Sequence, residues 1–215
     1  MQIAEPYARL MDVPDHAAGI RLLKKIEWCG RISHRSEEAQ SEDSYDRFIR
    51  TVVLGHGDWS IVEHASATVD ALVDRGVTHE WVRHRLFSYT QESTRFVNYQ
   101  KKMPPSFICP FPYEMKNGSP WPKREEDNCE LRYREMIAQG EAPQIARSVF
   151  PNALASRIIV TGNLRNWRHF FIMRTTAEAH PQMRQVTIPL LAEFQAKIPI
   201  LFDDIVPMTK QSVWL

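Results

Sequence analysis

Cysteine is scarce in this 215-residue chain: Cys29, Cys109 and Cys129 make an odd three, with no C-x-x-C pair. A disulfide framework or a cysteine-based zinc site is therefore not expected. Nothing around Cys109, in Ile108-Cys109-Pro110, would activate its thiol as a nucleophile. Glycine is scarce too, with eight residues, and they form neither G-x-G-x-x-G nor a Walker A motif. A bound dinucleotide would not use a Rossmann crevice. No H-E-x-x-H occurs, and no metal site is expected. No apolar run reaches the ~18 residues of a membrane span. The start, Met1-Gln2-Ile3-Ala4-Glu5-Pro6, lacks a basic region followed by an apolar one, so a cytoplasmic protein is expected. The net charge of +1 provides no bulk field for nucleic acid.

What is present fits one globular domain over residues 1–215: 43% apolar and 25% charged. The basic residues divide into 19 Arg and 8 Lys. Such an excess suits planar anion recognition. Codon usage in a GC-rich genome would give the same excess. Helical spacing of Ala17, Ile20, Leu23, Ile26 and Trp28 predicts a helix over 16–30. A second helix is expected over 42–54, ending near Gly55 and Gly57. Residues 65–73 alternate as a half-buried strand, with Ala67, Val69, Ala71 and Val73 on one face. Gly76 reads as a turn and Thr78 as the cap of a helix over 79–86. Six of the fourteen prolines fall in 103–123, a loop. Helices are expected over 124–139 and 142–149, and a strand over 157–161. Asn163 reads as the cap of a helix to Arg174. A last helix over 181–197 contains Pro189, which predicts a kink or break. Without regular βαβ alternation the fold class is α+β, a mixed sheet with flanking helices.

Four clusters could carry chemistry. The densest is Arg83-His84-Arg85-Leu86-Phe87-Ser88-Tyr89-Thr90-Gln91-Glu92-Ser93-Thr94-Arg95, a set of donors for anionic oxygens interleaved with aromatics. A solvated basic turn is the plain alternative for its first three residues. The second is Gly55-His56-Gly57-Asp58-Trp59-Ser60-Ile61-Val62-Glu63-His64, where Glu63 and His64 could be an ordinary polar pair at a strand entry. The third is Arg147, in Ile145-Ala146-Arg147-Ser148-Val149-Phe150-Pro151. A cation at a helix C-terminus is favourable by ~0.3–1 kcal/mol without any ligand. The fourth runs from Asn163 to Arg174, with Arg165 and His169 at i,i+4. A capped amphipathic helix with a basic outer face accounts for it equally.

Arg-His-Arg, seven residues and Ser resembles the signature of the flavin-dependent thymidylate synthases. The other three clusters follow in that family's order. Ser60, Glu63 and His64 match its His-x-Ser-x-x-Glu-His, with Asp58 where the family often has His. Arg147 matches an Ala-Arg…Leu-Pro stretch. Asn163, Arg165, His169, Phe170 and Arg174 match Asn-x-Arg…His-Phe…Arg, after which Gln182 replaces an acidic residue. The resemblance covers about residues 45–185.

The resemblance implies conversion of dUMP to dTMP, with methylenetetrahydrofolate as carbon donor, FAD as hydride carrier and NADPH as reductant. It implies a homotetramer with active sites shared between subunits. It places FAD against Ser60, Arg83, His84, Arg85, Asn163, Arg165 and His169, with Gln91 between the two ligands. The dUMP phosphate falls to Ser93, Arg95 and Arg147. Glu80, Arg83, Glu92, Thr94 and Arg174 complete the nucleotide site. C5 of uracil is a poor nucleophile, and without an attacking cysteine its activation needs charge stabilisation on the ring. Arg174 is the candidate for that role. A flavoprotein of the same fold acting on another pyrimidine nucleotide remains an alternative. So does a non-enzymatic RNA-binding module using the Arg clusters, against which the near-neutral charge speaks.

Overall fold

The computed structural model describes residues 2–101, 103–109 and 124–208. Most of the predicted proline-rich loop, residues 110–123, lies outside them. Helices and strands are mixed along the chain, which bears out the α+β reading. The strands are β1 (Gln2–Ile3), β2 (Tyr7–Leu10), β3 (Ser66–Asp74), β4 (Ser88–Gln91), β5 (Ser106–Phe107) and β6 (Ala155–Asn163). The helices are α1 (His16–Ile32), α2 (Ser44–Phe48), α3 (Arg75–Trp81), α4 (Arg124–Ala138), α5 (Pro143–Ala146), α6 (Leu164–Arg174) and α7 (Pro181–Lys197). A four-stranded sheet has the order β2-β3-β6-β4, and β1 pairs with β5 in parallel.

Two compact units emerge from the packing. The first comprises Met1–Tyr7, Ala71–Arg83 and Tyr89–Ile159; the second comprises Ala8–Asp70, His84–Ser88 and Val160–Leu215. In the first unit Tyr99, Tyr133 and Ala146 are buried, with Val97, Met136, Ile137, Val149 and Phe150 packed on them. Tyr133 stacks on Phe150 at 4.8 Å between ring centroids. Phe107 and Leu154 form a smaller buried group, tied by the bond from Ile108 N to Ala153 O at 2.8 Å.

An aromatic cluster makes the core of the second unit. Trp167, Phe170 and Phe171 line the buried side of α6, and Phe171 meets Phe194 of α7 at 4.9 Å and Phe202 at 5.9 Å. Offset and edge-on rings of this kind add to the burial of their area. The indole Nε1 of Trp167 donates to the Ala67 carbonyl of β3 at 2.9 Å, so the polar atom of this buried ring is satisfied. Helix α1 approaches α7 closely at Gly19. A Cβ there would lie 1.7 Å from the Lys197 carbonyl oxygen, which no side chain could survive without moving a helix.

Several expected elements appear where the sequence puts them. Asn163 caps α6, its side chain accepting from Asn166 N at 2.9 Å. Strand β6 and helix α4 match, and Gly140 has φ +93° between α4 and α5.

Other expectations need correction. Ala17 and Trp28 of α1 are exposed, whereas Glu27 is buried. Arg31 and Gln40 hold the Glu27 carboxylate, at 2.8 and 3.2 Å, and supply the partners a buried charge requires. The helix expected over 42–54 is α for one turn and then π over Ile49–Gly55. Gly76 is not a turn and Thr78 is not a cap. Asp74 at the end of β3 accepts from Val77 N at 3.0 Å and starts α3 four residues earlier. That helix ends at Trp81, so Arg83, His84 and Arg85 lie beyond its C-cap Val82 rather than within it. Helix α7 continues through Pro189 without a break. The hydroxyl of Thr78 donates to the Arg75 carbonyl inside α3 at 3.0 Å.

Candidate active site

In the first unit, β4 and the loop after it carry the predicted nucleotide residues. Gln91 ends β4, and its amide contacts Thr78 Oγ1 and Ser156 Oγ, each at 3.0 Å. Glu92 N donates to the Arg157 carbonyl of β6 at 2.8 Å, and its carboxylate accepts from the Tyr99 hydroxyl at 2.6 Å. Burial first, then the bond to Glu92, pushes the Tyr99 hydroxyl well up, so it acts as a donor throughout the working range. Ser93 begins a tight turn: Val97 N donates to its carbonyl at 3.0 Å and Arg95 N to its hydroxyl at 3.3 Å. Arg147, 53 positions away, donates from Nη1 to Thr94 Oγ1 at 3.0 Å. Predicted phosphate ligands from two clusters are thus brought together. Glu80 is half-buried on α3, and Arg83 is exposed beyond it.

Among the described residues, no carboxylate ion-pairs Arg83, Arg95 or Arg147. Arg31, Arg132 and Arg134, by contrast, each pair with a glutamate on their own helix. An exposed cation with no carboxylate partner among the described residues suits an anionic ligand.

In the second unit, His84 and Arg174 are in contact. Arg174 Nε donates to His84 Nε2 at 2.9 Å. An imidazole nitrogen that accepts from a cation is unprotonated, so the His84 proton sits on Nδ1. Burial first, then the positive charge of Arg174 and the nearby His169, lowers the His84 pKa to about 4. Its ring packs on Phe170 edge-on at 5.0 Å and on Phe87 at 6.5 Å, and lies 6.3 Å from His169. Phe87 fills a space left by Gly162, where a Cβ would be 2.3 Å from a ring carbon. It also meets Trp167 at 4.8 Å. These contacts seat His84–Ser88 on the aromatic core.

Arg85, His169 and Ser60 are exposed. Ser60 lies in a 3₁₀ segment, Trp59–His64. Arg165 forms an exposed ion pair with Glu63 at 2.6 Å. Glu63 is thus paired with Arg165, 102 positions away, and not with the neighbouring His64 as the polar-pair reading had it. Arg168, also on the basic face of α6, is structural. It holds both oxygens of Asp204 and the Leu201 carbonyl, and keeps the Asp204 carboxyl below its usual range. Sequence reasoning missed Gly162, Thr78, Ser156 and Tyr99, all of which position site residues. Only the aromatic flank at Phe87 hinted at such support.

Residues 21–200 match the family described as thymidylate synthase complementing protein. The chain is similar to the flavin-dependent thymidylate synthase of Corynebacterium aurimucosum, 34% identical over 199 residues, covering 83% of this chain and 78% of that one. It is similar to that of Pyrococcus furiosus at 33% over 200 residues, covering 88% and 79%. Its fold matches a crystal structure of the UMP/dUMP methylase PolB from Streptomyces cacaoi bound with 5-Br dUMP. The TM-score is 0.73 at 20% identity, over 94% of this chain and 95% of that one. The chain belongs to the flavin-dependent thymidylate synthase family.

Proposed function

We propose that this chain methylates C5 of dUMP to give dTMP, with FAD bound, methylenetetrahydrofolate as the one-carbon donor and NADPH as the reductant. The observation that carries the reading is the contact of Arg147 with Thr94 beside Ser93 and Arg95. It builds a donor cluster suited to a phosphate monoester, within a chain of this family.

Arg95, Arg147, Ser93 and Thr94 hold the phosphate, while Glu80, Arg83, Gln91 and Glu92 line the rest of the nucleotide. Gln91 is braced by Thr78 and Ser156, which fixes the plane of its amide. Arg174 faces the uracil. Its guanidinium stabilises the negative charge that grows on N3 and O2 as C5 becomes nucleophilic, and neutral His84 fixes its plane. That charge stabilisation takes the place of a covalent cysteine step.

The second unit's donor set fits a flavin dinucleotide: exposed Arg85 for the diphosphate, and neutral His84 against Phe87 and Phe170 for an aromatic ring. Ser60, Asn163, Arg165 and His169, with Arg83, complete the residues that would hold it. FAD, when bound, supplies hydride transfer, and the protein supplies orientation. The reading includes a cytoplasmic homotetramer with shared sites. Exposed Leu86, Ile172 and Met173, beside site residues in sequence, support an assembled state. Among the described residues, no helix is long and apolar enough to cross a membrane.

The test is tritium release from [5-³H]dUMP by purified protein with FAD, NADPH and methylenetetrahydrofolate, run beside [5-³H]UMP. Release and dTMP formation with dUMP support the reading. Release with UMP alone would replace it with a methylase of another pyrimidine nucleotide. Light scattering checks the tetramer.

A further inference from the structure

Arg174 is the last residue of α6, so its carbonyl is one of those that the helix itself cannot satisfy. Thr187, fully buried on α7, donates its hydroxyl to that carbonyl at 2.9 Å. The adjacent Thr175 is held as well. Its hydroxyl donates to the Phe171 carbonyl at 2.8 Å, and its own carbonyl accepts from Met208 N at 3.0 Å. The Met208 carbonyl in turn accepts from Arg184 Nη2 on α7. The backbone beneath the Arg174 side chain is therefore fixed by α7 and the 205–208 segment, while His84 fixes the guanidinium end.

A threonine inside a helix commonly returns its hydroxyl to a carbonyl of its own helix. Thr187 directs it to a neighbouring helix, at the residue whose side chain has the most demanding geometric task. Small displacements of a group that acts on a reacting ring cost rate steeply.

We propose that Thr187 is a positioning residue for Arg174. Its hydroxyl sets the backbone from which the guanidinium reaches uracil, and it does not touch the substrate. This rests on the reading of Arg174 given above.

The test compares Thr187→Val, which keeps the shape and loses the donor, with Thr187→Ser, which keeps the donor. Each is measured for tritium release at saturating dUMP, dUMP affinity, and flavin reduction by NADPH without dUMP. Arg174→Lys and the Thr187→Val/Arg174→Lys double variant are measured alongside. Thr187→Val should lower turnover about tenfold, the scale of one lost hydrogen bond, with flavin reduction and dUMP affinity unchanged. Thr187→Ser should restore most of it, and the double variant should be no slower than Arg174→Lys alone.

Wild-type turnover in Thr187→Val, equal impairment of Thr187→Ser, parallel loss of flavin reduction, or additive loss in the double variant would each overturn the proposal. In all four cases a selective turnover loss in Arg174→Lys leaves the Arg174 reading standing. If Arg174→Lys itself shows no selective loss, the Arg174 reading fails and the proposal with it. Thr187→Cys, a weaker donor of similar size, is judged by the same criteria if Thr187→Val does not fold.

Discussion

Arg174 Nε donates to His84 Nε2 at 2.9 Å, joining residues 90 positions apart. The bond requires a neutral imidazole, and burial with the Arg174 charge keeps His84 neutral. One side chain assigned to uracil thus leans on one assigned to flavin.

The first prediction is for Arg174→Lys. Lysine keeps the charge but loses the planar fork and the Nε donor. Turnover at saturating dUMP should fall by about 10²–10³, the scale of one lost oxyanion-type donor. Flavin reduction by NADPH without dUMP should change little. Equal loss in both half-reactions would identify Arg174 as a flavin-site or structural residue.

The second prediction concerns pH. A folded His84 pKa of about 4 lies below the unfolded value of about 6.5. Between those values the unfolded chain binds the extra proton, so His84 makes stability rise with pH from about 4 to 6.5 and adds no slope above. Below about pH 4 both states are protonated and the full penalty is present. His84→Gln should remove this contribution, narrowing or reversing any stability deficit at pH 5 relative to pH 7.5. Urea unfolding at both values measures it, and NMR titration of the His84 ring should give a midpoint far below 6. A midpoint near 6.5 would mean the bond from Arg174 does not control this imidazole.

Much of this was legible in the sequence because its signals are local. Asn163 before an apolar helix is a cap wherever it occurs, and α6 with Arg174 at its end followed from it. Residues 65–73 alternated as a strand should, and β3 runs over 66–74, except that buried Asp70 finds a charge partner in Arg9, 61 positions away. What was not legible depends on distant partners. Arg165 with Glu63, Arg147 with Thr94 and His84 with Arg174 are 102, 53 and 90 positions apart. Thr78 read as the cap, but Asp74 at the end of β3 takes that role. The buried Asp74 side chain at the strand end accepts from Val77 N, while the Thr78 hydroxyl turns back to the Arg75 carbonyl within the helix. Strand β4 is four residues long and half-exposed, too short for a clear period.

The third prediction is for Arg147→Ala. If Arg147 binds phosphate through the cluster with Thr94, dUMP affinity should fall about 10–100-fold, the range for a lost charge-assisted hydrogen bond. Deoxyuridine, lacking the phosphate, should compete equally well against wild type and variant. Thr94→Val should weaken dUMP less, since it removes only the hydroxyl that orients the guanidinium. Calorimetric titration with both ligands distinguishes this from a helix-end role, in which dUMP affinity would hold and only thermal stability would drop.

The last prediction is for Gly162→Ala. Gly162 is not in a left-handed conformation, so its glycine is required by space alone. A Cβ would lie 2.3 and 2.4 Å from two Phe87 ring carbons, contacts that force the ring out. Phe87 cannot move freely, because Trp167 and Phe170 hold it at 4.8 and 6.2 Å. The clash should destabilise the fold by about 1–3 kcal/mol. It should also shift His84–Ser88 and so lower flavin retention on purification. Pairing Gly162→Ala with Phe87→Leu tests the cause, since the slimmer side chain makes room for the methyl group. The double variant should recover stability and flavin relative to Gly162→Ala alone. If Phe87→Leu instead adds its own full loss, the two residues are not coupled, and Phe87 does not seat His84 through Gly162.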